Sequence, residues 1–360
     1  MYVPMFKTKK QELSVSKELN HCFSNDIIPL YEILTDMYKV RYKTDPKTSL
    51  EIREKKGKRM MRVKETPSND DIITLDFIND IVDNKKAFID FFRFTIEKYG
   101  KRINVSSAEL AFKLSRDPES YKRRVKEVIG HENLIPVISI KQGFGFGKNE
   151  LQHLLEELQM QKESVALRIT ENYLESYGLI IKNQLRETDY LLFDIGEQNP
   201  SSKVMEFEEL QEMKLRANII VLNSPRKADL NNGEYIGTGI TDLIDNSLRD
   251  VFRDYGFKGF GDYAGLKDNL SSKGGGRGGA ALALLYDYEK NGFYSFLNPD
   301  TMQGAGGYLK VREEILAGEA FLDPMGNCPA MQKIRNLESS GSWPTWINIL
   351  ITRYIHQMCK

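Results

Sequence analysis

The chain has 360 residues, of which 41% are hydrophobic and 28% charged, as in globular proteins with a sizeable core. Its 51 Lys and Arg balance its 51 Asp and Glu, so no overall positive charge indicates nucleic-acid binding. Three cysteines without CxxC spacing predict a reducing compartment and neither a zinc knuckle nor a disulfide framework. No segment resembles a signal peptide or reaches the ~18 apolar residues of a membrane span, so we expect a cytoplasmic protein without membrane contact.

Short apolar runs recur along the chain and alternate with segments of helical periodicity. The predicted strands are rich in Ile, Val and Leu, as in strands buried on both faces; they are 27–33, 72–77, 134–140, 165–170, 190–196, 218–224, 258–264 and one arm of 281–298. Predicted helices between them have apolar residues at i, i+3 and i+4; they include 85–100, 149–161, 171–185 and 240–256. This alternation predicts an α/β protein, a TIM-barrel-like (β/α)8 fold formed as a single domain by residues 1–360. A doubly wound open sheet is the alternative.

Two segments interrupt the alternation. Residues 47–67 are strongly charged and predict an inserted β-hairpin that turns at KKGK. Residues 281–298 predict a second hairpin that turns at EKNG, which leaves open which of its arms is the eighth barrel strand.

Polar residues occur at or just after the ends of most predicted strands. In a barrel these ends converge on the face where the catalytic groups of this architecture lie. Candidate catalytic residues are therefore Glu32, Asp76, Arg168, Asp194 and Asp262, and candidate ligand-binding residues are Lys141, Arg226 and Tyr263. Carboxylates without histidine suit Mg²⁺ or Mn²⁺, so Glu32, Asp194 and Asp262 are candidate metal ligands. The alternative is an internal salt-bridge network that closes the barrel mouth.

Two glycine-rich segments also follow predicted strands. The segment 141–150, KQGFGFGKNE, precedes a helix but matches no phosphate-binding motif, so an ordinary connection is favoured. The glycine-rich loop 271–280 follows the seventh predicted strand, where barrels often bind phosphate. Lys273 and Arg277 make it a candidate lid over an anionic ligand; a passive connection is the alternative.

Other hydrolase chemistries lack their residues. None of the four histidines lies at a predicted strand end, and neither HxH nor HExxH occurs, which argues against a zinc site. No GxSxG motif indicates a serine nucleophile.

Several short motifs, in this order, resemble the phage-type protein beta family. They are YVPMFKTKKQELSVSKEL and IIPLYEI near the N-terminus, LLFDIG and GFGDYAG further on, and GNCPAMQKIRNLESSGSWPTWINILITRYIHQ at the C-terminus. The resemblance marks positions that are polar or aromatic in the family; they are Glu12, Glu32, Asp194, Asp262, Tyr263, Trp346 and His356. A single His356 stands where family members often have a histidine pair, and the charged insert is longer here.

Family members occur in bacteria, phages and mobile elements, often near genes of phage defence. The resemblance therefore implies a component of an antiphage-defence or mobile-element system, with a protein partner encoded in the same operon. One hypothesis is a metal-dependent enzyme, such as a hydrolase, acting on a phosphorylated or nucleotide-like substrate. The other is a non-catalytic barrel that serves as a sensor or scaffold subunit. Nucleic acid remains an expected alternative ligand.

Overall fold

The computed structural model describes residues 1–100, 102–235, 237–272 and 279–359. Its strands, in chain order, are β1 (Tyr2–Lys7), β2 (Leu30–Ile33), β3 (Arg53–Lys56), β4 (Arg59–Arg62), β5 (Ala87–Phe91), β6 (Leu134–Ile140), β7 (Ala166–Thr170), β8 (Tyr190–Asp194), β9 (Asn218–Leu222), β10 (Thr238–Thr241), β11 (Gly259–Asp262), β12 (Ala281–Asp287) and β13 (Gly292–Asn298). Its α-helices are α1 (Lys10–Glu18), α2 (Thr74–Ile81), α3 (Ile96–Tyr99), α4 (Glu109–Leu114), α5 (Pro118–Glu127), α6 (Lys148–Gln159), α7 (Leu174–Gln184), α8 (Val204–Glu212), α9 (Leu248–Val251), α10 (Tyr308–Ala317), α11 (Glu319–Leu322), α12 (Pro329–Arg335) and α13 (Trp343–Met358).

Eight parallel strands close a barrel in the order β1-β11-β9-β8-β7-β6-β5-β2. Helices and irregular segments connect successive strands and cover the outside, as in a (β/α)8 barrel. The predicted fold class is confirmed, and the open-sheet alternative is wrong because β1 pairs with both β2 and β11.

Two barrel strands lie where the sequence predicts none. Strand β1 is the N-terminal run YVPMFK, and β5 lies inside the segment 85–100 that predicts a helix. All five residues of β5 are buried. A strand buried on both faces has a continuous apolar run, which also satisfies the i, i+3, i+4 spacing of a helix.

The strand predicted at 72–77 is wrong, because helix α2 occupies Thr74–Ile81. Leu75, Ile78 and Ile81 are buried on one face of this helix, three residues apart. The helix predicted over 240–256 is also largely absent, since β10 ends at Thr241 and α9 covers only four residues.

Both predicted hairpins exist. Strands β3 and β4 pair around Gly57, whose φ of +63° suits a tight turn, and every residue of the two strands is exposed. Strands β12 and β13 form a three-stranded antiparallel sheet with β10, outside the barrel. Neither arm of 281–298 is the eighth barrel strand, which is β1.

Alternation along each barrel strand separates an interior core from an outer layer. Interior positions carry apolar residues such as Val3, Leu30 and Ala166. Outward positions pack against the helices in the largest apolar cluster. A further cluster joins the three-stranded sheet to α10, α12 and α13. Among the described helices, none is long and apolar enough to cross a membrane.

Candidate ligand site at the carboxyl ends of the barrel strands

Polar side chains occupy the last inward-facing positions of consecutive barrel strands. They lie directly above the apolar interior, and are Lys7 on β1, Glu32 on β2, Asp90 on β5, Ser139 on β6, Arg168 on β7 and Asp194 on β8. Strand register places Lys7 beside Glu32 and Glu32 beside Asp90. The predicted convergence of strand ends therefore holds for Glu32, Arg168 and Asp194.

Arg168 is the centre of this group. Its Nη1 donates to Glu32 Oε1 at 2.7 Å and to Asp90 Oδ2 at 2.8 Å. Its Nε and Nη2 donate to Asp194 Oδ2 at 2.9 and 2.6 Å. The Ser139 hydroxyl donates to Asp90 Oδ2 at 2.7 Å. One guanidinium thus donates to three carboxylates, two of which are fully buried.

A second cation completes the network on the opposite side of Glu32. Lys7 Nζ lies 2.8 Å from Glu32 Oε2 and 2.7 Å from Asp268 Oδ1. Asp268 also accepts from Lys98 Nζ at 2.7 Å and from the Tyr99 hydroxyl at 3.0 Å. The Tyr263 hydroxyl donates to Glu32 Oε1 at 2.8 Å.

The charges stabilise one another strongly. Burial alone would raise the pKa of Glu32, but Lys7 and Arg168 lower that pKa to about 2. Burial would likewise lower the pKa of Lys7, yet Asp268 and Glu32 raise it. The pKa of Arg168 is raised because Asp194 and Glu32 outweigh its burial. Glu32, Lys7 and Arg168 are therefore all charged at neutral pH.

Asp262 does not join this group, contrary to the sequence prediction. Asp262 and Phe260 are two residues apart on β11, so their side chains lie on the same face of the strand. The Phe260 ring packs in the outer layer, and the Asp262 carboxylate therefore also faces out of the barrel. There it accepts from the Tyr2 hydroxyl at 3.0 Å, the Tyr354 hydroxyl at 2.6 Å and the Ala264 N–H at 2.8 Å. Burial raises the pKa of Asp262, although these donors oppose the shift.

Asp76 is also wrongly placed by the sequence prediction. It lies on helix α2, with 70% of its side chain exposed and its Oδ1 3.7 Å from His131 Nε2. Of the predicted ligand-binding residues, Tyr263 and Lys141 lie at the strand-end group, whereas Arg226 lies in a different cleft. Lys273 and Arg277 lie outside the described residues.

The three predicted metal ligands do not form a set. Asp262 faces away, and the Arg168 guanidinium bridges Glu32 and Asp194. Within residues 1–100, 102–235, 237–272 and 279–359, no three His, Cys, Asp or Glu side chains are grouped to hold a metal. Binding of Mg²⁺ or Mn²⁺ therefore stays a prediction, and no ligand set for it is found in the described ranges.

A cleft of about 230 Å³ opens onto the network. Arg168 and Asp194 line it, and 16% of the Asp194 side chain is exposed. Arg93 and Lys141 also line it, and among the described residues neither has a carboxylate oxygen within 4.0 Å. Each cation contacts aromatic rings instead: Arg93 Cζ lies 3.6 Å from the Tyr121 ring centre, and Lys141 Nζ 4.1 Å from that of Phe92.

Local hydrogen bonds fix the position of the Arg93 side chain and of the Lys141 backbone. Arg93 Nη2 donates to the Ser139 carbonyl at 2.6 Å, while its buried Nε has no hydrogen-bond partner among the described residues. Lys141 begins a turn closed by the Phe144 N–H, with Gly143 at a φ of +83°. Burial lowers the pKa of Lys141 to about 8, although Asp90 acts in the opposite direction.

The other family-marked residues lie away from the cleft. Glu12 is buried and accepts from the Lys7 backbone N–H; burial raises the pKa of Glu12 to about 7 despite Lys9 and Lys7. Trp346 is buried, stacks on Tyr308 and donates to the Ser340 carbonyl at 2.9 Å. His356 is partly buried in the last turn of α13 and does not line the cleft.

The sequence analysis missed Lys7, Asp90, Arg93, Lys98 and Asp268. Lys7 and Asp90 belong to the two strands that were not predicted, where a charged residue in or after an apolar run was the available signal. Arg93 lies two residues beyond β5, so the same strand assignment would have pointed to it. Lys98 and Asp268 come from segments that follow β5 and β11, and nothing in their local pattern marks them.

Comparison with known proteins identifies the family of the chain. No curated protein and no solved structure matches the chain. The family model described as Beta protein matches residues 2–360. This range covers nearly the whole chain and includes every barrel strand and the strand-end network. The chain therefore belongs to the Beta protein family.

Proposed function

We propose that the protein binds a small phosphorylated ligand in the strand-end cleft, as a cytoplasmic component of a prokaryotic antiphage-defence or mobile-element system. The observation that carries the proposal is the pair Arg93 and Lys141. Both cations line the cleft, and within the described ranges neither has a carboxylate oxygen within 4.0 Å. The carboxylates of the neighbouring network already have cationic partners. Cations that line a partly enclosed cleft without a carboxylate in direct contact favour an anion, and guanidinium and ammonium groups are the usual donors to phosphate.

Ligand sensing is favoured over metal-dependent hydrolysis. Glu32 and Asp90 are fully buried and hydrogen-bonded to Arg168, so neither is free to act as a general base or to ligate a cation. Asp194 is the partly exposed carboxylate of the network, and both of its oxygens accept hydrogen bonds. A network of this kind orients binding groups and resists rearrangement.

Lys141 supports a second candidate function, an enzyme acting on the same ligand. A lysine with a pKa of about 8 exchanges its proton near neutral pH, as a general acid or base requires. Lys141 would then transfer a proton to or from the ligand, while Arg168 and Arg93 would stabilise its negative charge. The sensor and the enzyme share this binding site and differ in whether the ligand is consumed.

Calorimetric titration of the intact protein with inorganic phosphate, pyrophosphate and a panel of phosphorylated metabolites tests the proposal. We expect saturable binding that Lys141→Met weakens at least tenfold. Lys148→Met is the matched control, because Lys148 is exposed at the start of α6 and does not line the cleft. Absence of binding across the panel, or equal effects of the two substitutions, would overturn it. Release of phosphate from a bound compound, or its isomerisation, would show that the protein is an enzyme and not a sensor.

The exposed hairpin β3–β4 is the proposed docking element for a partner protein encoded in the same operon. All of its strand residues are exposed, among them Met60 and Met61, and the hairpin pairs with no barrel strand. An element that contributes nothing to the core is well placed to contact a second protein.

A further inference from the structure

A second cleft, of about 480 Å³, lies between the barrel and the C-terminal sheet and helices. On one side it is lined by the start of α1 and by residues that follow β11. On the other side it is lined by β12, α10 and α13. It shares Tyr263 and Lys7 with the strand-end network but none of the residues that line the strand-end cleft.

The charge of this second cleft is one-sided. Besides Lys7, its cations are Lys9, Lys10, Arg226 and Lys267, and among the described residues none of these four has a carboxylate oxygen within 4.0 Å. Glu12 is the one carboxylate among the described lining residues, and it is turned toward the Lys7 backbone N–H. Four cations around one cleft therefore have no carboxylate in direct contact within the part of the chain that the structure describes.

Arg226 and Lys267 are held next to each other in spite of their like charges. Their backbones form a parallel β-bridge. Arg226 donates to the Tyr235 hydroxyl at 3.1 Å and to Asn232 Oδ1 at 3.3 Å, and Lys267 donates to the Ala228 carbonyl at 3.2 Å. Their direct hydrogen-bond acceptors are neutral; Asp229, Glu234 and Glu197 act on Lys267 only from beyond 4.0 Å, and burial and Arg226 still lower its pKa. A bound anion would offset the mutual repulsion.

The wall opposite these cations is aromatic and apolar. It includes Trp343, Trp346 and Tyr308, with Leu282 and Leu284 of β12. Tyr308 packs edge-on against Trp343 at 5.4 Å and stacks on Trp346 at 4.8 Å, which makes the wall rigid. Trp343 is only partly buried, so its ring is accessible from the cleft. A flat apolar surface facing several cations suits a ligand with a planar ring and an anionic group.

We propose that this second cleft is a nucleotide site, which takes the base against the Trp343 wall and the phosphates on Arg226, Lys267 and Lys10. The site is distinct from the strand-end cleft, and this proposal does not depend on the function proposed for that cleft. A nucleoside supplies only the ring and an inorganic polyphosphate only the charge, so each alone should bind more weakly than the nucleotide.

The two tryptophans make the test direct. The chain has only two, Trp343 and Trp346, and both line this cleft. Tryptophan emission of the intact protein should be quenched saturably by at least one of ATP, GTP, CTP and UTP. The matching nucleoside and inorganic tripolyphosphate should need at least tenfold higher concentrations. Calorimetry confirms the affinity without optical interference. No saturable binding of any of the four nucleotides at millimolar concentration would overturn the proposal.

Two charge reversals on one helix locate the ligand. Lys10→Glu should weaken nucleotide binding at least tenfold, because Lys10 is exposed at the cleft and its side chain makes no hydrogen bond or ion pair with another described residue. Lys17→Glu, on the same helix, exposed and away from the cleft, is the matched control and should change binding less than twofold. Equal effects would overturn the site, whatever the affinity. Lys141→Met should leave the quenching unchanged, which separates failure of this site from failure of the strand-end site.

Discussion

The guanidinium of Arg168, on strand β7, contacts the carboxylate of Glu32, on strand β2, at 2.7 Å across the barrel mouth. The two strands are separated by β5 and β6 in the barrel wall, and the two residues by 136 positions in the chain. The contact therefore joins distant parts of the chain through the interior of the barrel and not along the sheet.

Replacing Arg168 by Met should lower the free energy of unfolding by about 3–5 kcal/mol, because removing one member of a buried ion network leaves its carboxylates uncompensated. Urea denaturation followed by circular dichroism measures the change. The double variant Arg168→Met with Asp90→Asn should recover part of the loss, since it removes one stranded charge. A loss below about 1 kcal/mol would contradict a structural role for the network.

Glu32 should make the protein sensitive to acid. Its pKa in the folded state, about 2, is below its ordinary value of 4.5, so the folded protein releases this proton more readily than the unfolded chain. The stabilisation is complete above pH 4.5 and is lost as the pH falls towards 2. In Glu32→Gln, the slope of unfolding free energy against pH should be shallower in this window. An unchanged slope would contradict the lowered folded-state pKa of Glu32.

Lys141 should lower stability at neutral pH. Its folded-state pKa of about 8 is below its ordinary value of 10.5, so the charged form is disfavoured by folding. The unfolded chain binds more protons between pH 8 and 10.5, and stability from this group therefore rises with pH across that range. Lys141→Met should stabilise the protein by on the order of 1–3 kcal/mol at pH 7 and by much less near pH 10.5. Thermal melts at both pH values test this, with Lys148→Met as the control.

Asp262→Asn should separate folding from ligand binding. The carboxylate accepts from two tyrosine hydroxyls and a backbone N–H, and an amide offers one acceptor oxygen fewer, so we expect a loss of about 1–3 kcal/mol. Binding in the strand-end cleft should be unchanged, because Asp262 faces the outer layer. If the variant folds but binds the strand-end ligand much more weakly, Asp262 contributes to that site and this interpretation is wrong.

Replacing residues 53–62 with a short Gly-Ser turn should change the midpoint of thermal unfolding by less than a few degrees, since none of the hairpin strands is buried. Binding of the operon-encoded partner, measured by co-purification of the two tagged proteins, should be lost. Retained co-purification would remove the hairpin as the docking element.

Sequence patterns predicted the barrel because six of its eight strands are short, largely apolar runs, most of them followed by helical segments. They failed at β5, where AFIDF is apolar enough to fit either periodicity. Because β5 was assigned to a helix, Asp90 was not recognised as a strand-end residue. The position of Arg168 between Glu32, Asp90 and Asp194 was therefore not predicted. At β1 the run YVPMFK was not assigned as a strand either, which hid Lys7.

Asp262 was assigned to the site because it ends a predicted strand, without considering which face of the strand its side chain occupies. A position at the end of a strand points inward or outward according to parity. Gly259 and Gly261 indicate the parity of β11: a Cβ at Gly261 would lie 2.5 Å from the Val3 carbonyl oxygen and 2.7 Å from Leu222 Cδ2. The crowded interior requires glycine there, which leaves Asp262 on the other face and Tyr263 inward. The contact of Lys98, on the short helix α3, with Asp268 depends on the conformation of the segment after β11, which no periodicity encodes.

The pairing of β1 with β11 has a consequence for how the chain folds during synthesis. One edge of β1 pairs early, with β2, but its other edge stays open until residues 259–262 have left the ribosome. Contacts of such long sequence separation are slow to form, and an unpaired edge exposes the nascent chain to aggregation in the meantime. Yield in cells should therefore depend on how quickly the last third of the chain is translated, even for variants whose final stability is unchanged.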